Sequence, residues 1–357
     1  MTNRDKKDGI RGRMASAGEP FNVARRKVEA AAAGHLSKPE FVEFGRIGRC
    51  DLSNRELTVL PPEIARLPSL WELRLDGNRL TALPPQIGQL TKLDVLTLDG
   101  NRLTALPSQI GQLASLRRLA LDGNRLTALP PEIGQLASLQ RLWLDGNRLT
   151  ALPPQIGQLT NLDELQLGDN QLTALPPQIG QLPSLRRLRL RENRLTALPS
   201  QITQLTNLDT LQLGRNQLTE LPPQVTQLTS LRRLGLGGNQ VTVLPPQITQ
   251  LTNRRDLWLD GNQFTALPPQ IGQLPNLQVL WLRHNRLTAL PPQIGQLTSI
   301  RRLMLDGNQL TALPRELADL LSGGLKIGLA GNPLPWPLFE LHDQGPQALA
   351  SYLRGLE

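Results

Sequence analysis

The side chains that could do chemistry are few and scattered. The three histidines, His35, His284 and His342, fall in different regions of the 357-residue chain. The single cysteine, Cys50, has no histidine beside it, so it reads as a small buried hydrophobe rather than a nucleophile. One cysteine also excludes an intrachain disulfide framework and a cysteine-based zinc cluster. No G-x-x-x-x-G-K-[ST] run occurs, so no P-loop is expected. Recurrent Asp-Gly-Asn triplets resemble calcium loops. Their Asp column is broken by Gly168, Arg191, Gly214, Gly237 and Arg283, however, and arginines flank it. The Asp reads instead as a turn former balanced by the arginine three residues on, as Asp76 is by Arg79. These residues predict no enzyme activity, no cofactor and no metal.

The elements that must carry whatever function remains come from a repeat. An asparagine recurs every 23 residues: Asn78, Asn101, Asn124, Asn147, Asn170, Asn193, Asn216, Asn239, Asn262, Asn285 and Asn308. Numbering one copy from Leu70, leucines fall at positions 1, 4, 6, 11, 14 and 21, with Ile or Val at 18. Positions 4 and 6 share one face of a short strand, and positions 3, 5 and 7 share the other. Asp-Gly ahead of the Asn marks a turn. Pro-Pro at 15 and 16 removes two backbone donors where no ladder partner is needed. The apolar pair at 18 and 21 suits one turn of helix or 3₁₀. A unit this short cannot bury its apolar face alone, so neighbours must stack, with parallel strands ~4.8 Å apart. Returns thicker than a strand predict a bowed stack with its strands on the concave side.

The pattern L-x-x-L-x-L-x-x-N-x-L, in eleven near-identical copies, resembles the leucine-rich repeat family. The L-T-A-L-P-P-Q-I-G-Q-L return resembles its 23-residue subclass, found in bacterial and Roco-type proteins and in Ras-pathway scaffolds. The resemblance implies an α/β solenoid, a curved horseshoe with parallel strands inside, short helical, 3₁₀ or extended returns outside, and helical caps. It also implies that the eleven asparagines form a buried hydrogen-bonded ladder. The degenerate first copy has Arg55 at the ladder position, so the ladder is expected to start one repeat later. Arg254 replaces the position-1 Leu in one copy and must reach solvent or a carboxylate such as Asp256. The expected division is a flexible tail at 1–18, an N-terminal helical cap at 19–46, the solenoid at 47–332 and a C-terminal cap at 333–357. In the C-terminal cap, Ala348, Tyr352 and Leu353 give the helical pattern. A charged N-terminus without an apolar segment reads as cytoplasmic, with non-classical export as an effector left open.

Differences among the copies point to function. Position 5 runs from Arg74 through Trp143, Gly235, Trp258 and Trp281 to Met304, while Thr at 12, Pro at 15 and Gln at 20 barely change. Gln at position 20 should itself be exposed, so its constancy makes the strand-face variation look selected. Three of five tryptophans lie in column 5, in a chain with only 3% aromatics. Trp143, Trp258, Trp281 and Met304 therefore predict an exposed apolar patch that anchors an unidentified protein partner. Trp71 and Trp336 are assigned structural roles. Arg141, Arg187, Arg189, Arg191 and Arg233 join the candidate face, with Arg189 and Arg191 the least compensated by neighbouring acids. Asp94 with Arg117 and Asp209 with Arg232 read as cross-strand pairs. The leading reading is a protein-interaction scaffold. A net charge of +9 keeps open a nucleic-acid or anionic-surface binder. The family resemblance keeps open a regulator of a separately encoded Roco- or Ras-like GTPase, or a secreted bacterial effector.

Overall fold

The computed structural model describes residues 48–355, apart from 68, 222, 251, 252 and 254. The expected tail and N-terminal cap, with His35, and the Arg254 substitution lie outside the described residues. Among the described residues, thirteen three-residue strands follow one another in chain order as one parallel sheet. The chain divides into two compact units, 1–165 and 166–357.

In the first unit, β1 (Arg49–Asp51) pairs in register with β2 (Glu72–Arg74), and β2 with β3 (Val95–Thr97), Leu73 opposite Leu96. The same register carries on through β4 (Arg118–Ala120) to β5 (Arg141–Trp143). Leucines at positions 4 and 6, such as Leu96 and Leu98, are fully buried. Those at 1, 11, 14 and 21 close the core behind them, each copy burying its Ile at 18 as well. After the extended Pro84, Ile87 donates its N–H to the Pro84 carbonyl at 3.0 Å and Leu90 to that of Ile87 at 3.1 Å. Those i→i+3 bonds make the return Pro85–Gln89 a 3₁₀ turn, with proline where a missing N–H costs nothing.

Packing explains the constancy of position 20. A Cβ on Gly88 would lie 2.5 Å from Gln112 Oε1 and 2.6 Å from the Gln109 carbonyl, both in the next repeat. In the second unit, Thr226 fills position 19 and donates its hydroxyl to Gln250 Oε1 at 3.1 Å. Gln at 20 is thus keyed to the residue at 19 of the preceding copy. Its failure to vary has a structural cause, and the contrast with the strand face loses that support.

The second unit runs from β7 (Arg187–Arg189) through β8 (Thr210–Gln212), β9 (Arg233–Gly235), β10 (Asp256–Trp258), β11 (Val279–Trp281) and β12 (Arg302–Met304) to β13 (Lys326–Gly328). Its last return is an α-helix, α1 (Leu317–Ser322), in the copy where Asn332 follows Asn308 by 24 residues instead of 23. Two further helices follow, α2 (Trp336–Gln344) and α3 (Pro346–Arg354). The buried stripe of α3 is Leu349, Ala350 and Leu353, not the expected Ala348, Tyr352 and Leu353. Arg354 ties α3 to α1 through Asp319 at 3.0 Å and Ser322 Oγ at 2.8 Å.

Candidate functional site

Two side-chain ladders frame the strand face. The first is made by asparagine. Asn101 Nδ2 donates to the carbonyls of Leu75 and Leu98, each at 2.9 Å, and its Oδ1 accepts the Leu80 N–H at 3.0 Å. All eleven repeat asparagines are buried. Asn78 is the first rung, because Arg55 has no amide to offer and only its backbone N–H reaches Asn78 Oδ1, at 3.0 Å. Asn332 adds a rung after Asn308, accepting the Leu310 N–H at 3.0 Å.

The second ladder is made by aspartate at position 7, and it corrects the expected Asp–Arg balance. Asp76 Oδ1 accepts the Asp99 N–H at 2.9 Å, and its Oδ2 accepts the Thr97 hydroxyl at 2.6 Å. Arg79 pairs instead with Glu56, at 2.9 Å. Asp99 takes the Asp122 N–H and Asp122 takes that of Asp145, each at 2.7 Å. In the second unit, Asp260 takes the Arg283 N–H at 2.7 Å. Burial raises the carboxyls of Asp99 and Asp260 above the usual range, and these backbone bonds pull them partly back.

On the strand face of the first unit, Trp143 is half-buried beneath the Arg118 guanidinium, 5.3 Å from the ring centroid. Its indole Nε1 is buried without a hydrogen-bond partner among the described residues. Arg141 stands on the same strand, also half-buried. In the second unit, Trp258 stands opposite Trp281, and Trp281 opposite Met304. All three are half-buried rather than fully exposed. Arg283 lies 4.5 Å over the Trp281 ring and is itself held by Asp306 at 2.9 Å.

The arginines sort differently from expectation. Arg187 and Arg189 are half-buried and engaged within the fold, so neither belongs to a free basic spot. Arg233 pairs with Asp256 at 3.4 Å. Arg191 is exposed and lacks a carboxylate partner among the described residues. The column-2 pairs form as loose contacts, Arg117 to Asp94 at 3.5 Å and Arg232 to Asp209 at 3.6 Å.

Beside Trp258 lies a cleft of about 540 Å³, lined by Arg191, Gly214, Arg215, Gly237, Trp258 and His284, with Asp260 at one wall. It exists because glycine stands at position 5 (Gly235) and position 7 (Gly214, Gly237) of adjacent copies, where most other copies carry side chains. Arg215 and His284 hold φ values of +53° and +52° at the turn position most copies give to glycine. Gly214 and Gly237 are legible in the sequence as breaks in the Asp column. Only the fold shows that the breaks are contiguous and open.

Family models describing a leucine-rich repeat region match residues 108–192 and 176–258, and leucine-rich repeat models match 68–126 and 253–310. A leucine-rich repeat protein of Leptospira interrogans superposes with a TM-score of 0.73 at 42% identity, over 87% of this chain and 84% of that one. The chain is a leucine-rich repeat protein. The plant peptide hormone receptor RGFR1, solved in complex with RGF2, is similar at 29% identity with a TM-score of 0.56, over 77% of this chain and 54% of the receptor's. An internalin from Listeria monocytogenes shares the fold, with a TM-score of 0.63 at 23% identity over 85% of this chain and 93% of that one. No curated protein matches.

Trp71 and Trp336, assigned structural roles, are 40% and 69% exposed, more open than any column-5 tryptophan. Trp71 lies under Arg49 at 5.6 Å. Its column points outward because position 2 precedes the strand. Cys50 is buried, and burial pushes its thiol up to about 12. His284 is exposed at its turn, and His342 Nε2 lies 3.2 Å from the Ile327 carbonyl. Among the described residues no group of acidic, histidine and cysteine side chains could hold a metal ion, and no helix is long and apolar enough to cross a membrane.

Proposed function

We propose that this leucine-rich repeat protein is a protein-interaction scaffold that works by binding alone and docks its partner on the strand face of the second unit. The observation that carries this reading is the row of Trp258, Trp281 and Met304 on three adjacent, in-register strands. Each keeps part of its apolar surface in water, and Trp258 lines a cleft. Large aromatic side chains on a rigid backbone lose little freedom on binding and make strong anchors. The fold supports the reading, since leucine-rich repeats commonly serve as interaction modules. A similar structure is that of a plant peptide hormone receptor solved in complex with RGF2.

The test is affinity purification from the native cell with the parent chain and a Trp258→Ala/Trp281→Ala variant, each checked by circular dichroism. The double variant should lose a partner that the Trp71→Ala control retains. Equal recovery of that partner by a folded double variant overturns this site.

A second reading, an anionic-surface or nucleic-acid binder, has one observation in its favour. In the first unit a groove of about 560 Å³ is lined by Arg79, Arg102, Arg125 and Arg148, one per repeat. Only Arg79 of the four has a carboxylate partner among the described residues. Retention on heparin that is lost at modest salt and in an Arg102→Ala/Arg125→Ala variant supports this reading.

A further inference from the structure

The aspartate ladder is interrupted where the second-unit cleft opens. Where aspartate is present, its carboxylate caps the position-7 N–H of the next repeat, as Asp76 does for Asp99 and Asp260 does for Arg283. Gly214 and Gly237 offer no carboxylate to the repeats that follow them. The N–H groups of Gly237 and Asp260 consequently have no acceptor among the described residues. A Cβ built on Gly237 would sit 3.7 Å from the Asp260 nitrogen, so the missing side chain is the one that would have covered that donor. Both residues line the cleft. Uncapped backbone donors at a partly enclosed site are costly unless something else satisfies them.

The surrounding charge suits an anion. Arg191 is exposed at the rim without a carboxylate partner, and Arg215 stands beside it, tied at 3.1 Å to the outward Glu192. The carboxylate of Asp260, the acidic group among the lining residues, is committed to the Arg283 N–H on the far side. His284 lies over Gly307. Trp258 supplies an apolar wall, its ring edge 3.6 Å from where a Gly235 Cβ would be.

We propose that this cleft is a carboxylate site that receives an aspartate or glutamate side chain of a protein partner, which takes the place of the aspartates absent from the ladder at Gly214 and Gly237. The incoming carboxylate accepts the N–H groups of Gly237 and Asp260, Arg191 adds a charge-assisted contact, and the stem of the acidic residue lies against Trp258. The proposal rests on the docking reading above for the source of the carboxylate. Its test is independent of it.

The experiment titrates the full chain, labelled with ¹⁵N, with a capped Asp-Asp-Asp peptide, a capped Asn-Asn-Asn peptide and sodium phosphate at equal ionic strength. The Asp peptide should shift the Gly237 and Asp260 amides to saturation, and the Asn peptide should not. Gly237→Asp restores the internal carboxylate and should abolish the response, while Arg191→Gln, whose side chain is exposed, should weaken it by about tenfold. Equal shifts from the Asn peptide overturn the proposal, as does unchanged binding in either variant. Larger shifts from phosphate than from the Asp peptide also overturn it, since they make the cleft a phosphate site. If the titration succeeds while the tryptophan variants keep their partner, the docking reading fails and the carboxylate site stands.

Discussion

The carboxylate of Asp99 accepts the backbone N–H of Asp122 at 2.7 Å, one repeat further on. The bond satisfies a donor that the sheet leaves over, and it holds a half-buried charge in place. The cost is electrostatic. Burial raises the Asp99 carboxyl above its ordinary 3.8, with Asp76 adding to the rise and the Asp122 N–H opposing it. The native chain therefore takes up this proton more readily than the unfolded chain. The contribution of Asp99 to stability falls as pH rises from 3.8 through the raised value. Asp99→Asn keeps an amide oxygen for the Asp122 N–H and removes the charge. The variant should be at least as stable as the parent at neutral pH, and the parent should gain on it as pH drops towards 4. Paired urea titrations across that range measure both.

The asparagine ladder should be far less tolerant. Asn101→Ala strands the Leu80 N–H and takes a donor from two carbonyls in a fully buried setting. A loss of about 3 kcal/mol is expected from one unsatisfied donor and two under-satisfied acceptors. Urea unfolding measures the loss. A variant within ~0.5 kcal/mol of the parent, the range of an ordinary surface substitution, would mean that water replaces the side chain there.

His284 occupies a left-handed turn conformation, φ +52°, where most copies use glycine. His284→Gly should raise stability by about 1 kcal/mol through relief of that strain. The same substitution removes a side chain from one wall of the cleft but none of the groups proposed to hold the carboxylate, so acidic-peptide binding should be retained. A melting curve alongside the peptide titration reads both.

Cys50 is fully enclosed, and burial pushes its thiol from 9.0 to about 12, with Asp51 adding to the rise. In the unfolded chain the thiol ionises near its ordinary value. Unfolding thus releases a proton above pH 9, and stability declines from there towards 12 at up to ~1.4 kcal/mol per pH unit. Cys50→Ala should lack this slope. Ellman's reagent should leave the native protein unmodified at pH 8 and react fully in denaturant.

Local spacing was enough to read the strand, the turn and the 3₁₀ return, because each is decided within a few residues by side-chain alternation, glycine and proline. Periodicity extended that reading to the stack, since a unit that cannot bury its own leucines must use its neighbour's. Several features lay beyond it. Whether Asp76 faced Arg79 or the Asp99 backbone depended on which group came within reach across the repeat boundary, and the backbone donor won. The constancy of Gln112 looked like a contrast to functional variation until its amide oxygen was found seated over Gly88. Trp71 and Trp336, assigned structural roles from their places in the repeat and the cap, are the most open of the tryptophans. Gly214 and Gly237 were visible in the chain as gaps in a column. Only the stacked fold sets those gaps side by side, leaving the uncapped N–H groups of Gly214, Gly237 and Asp260 along one space, because contiguity across repeats is a property of register and not of any single copy.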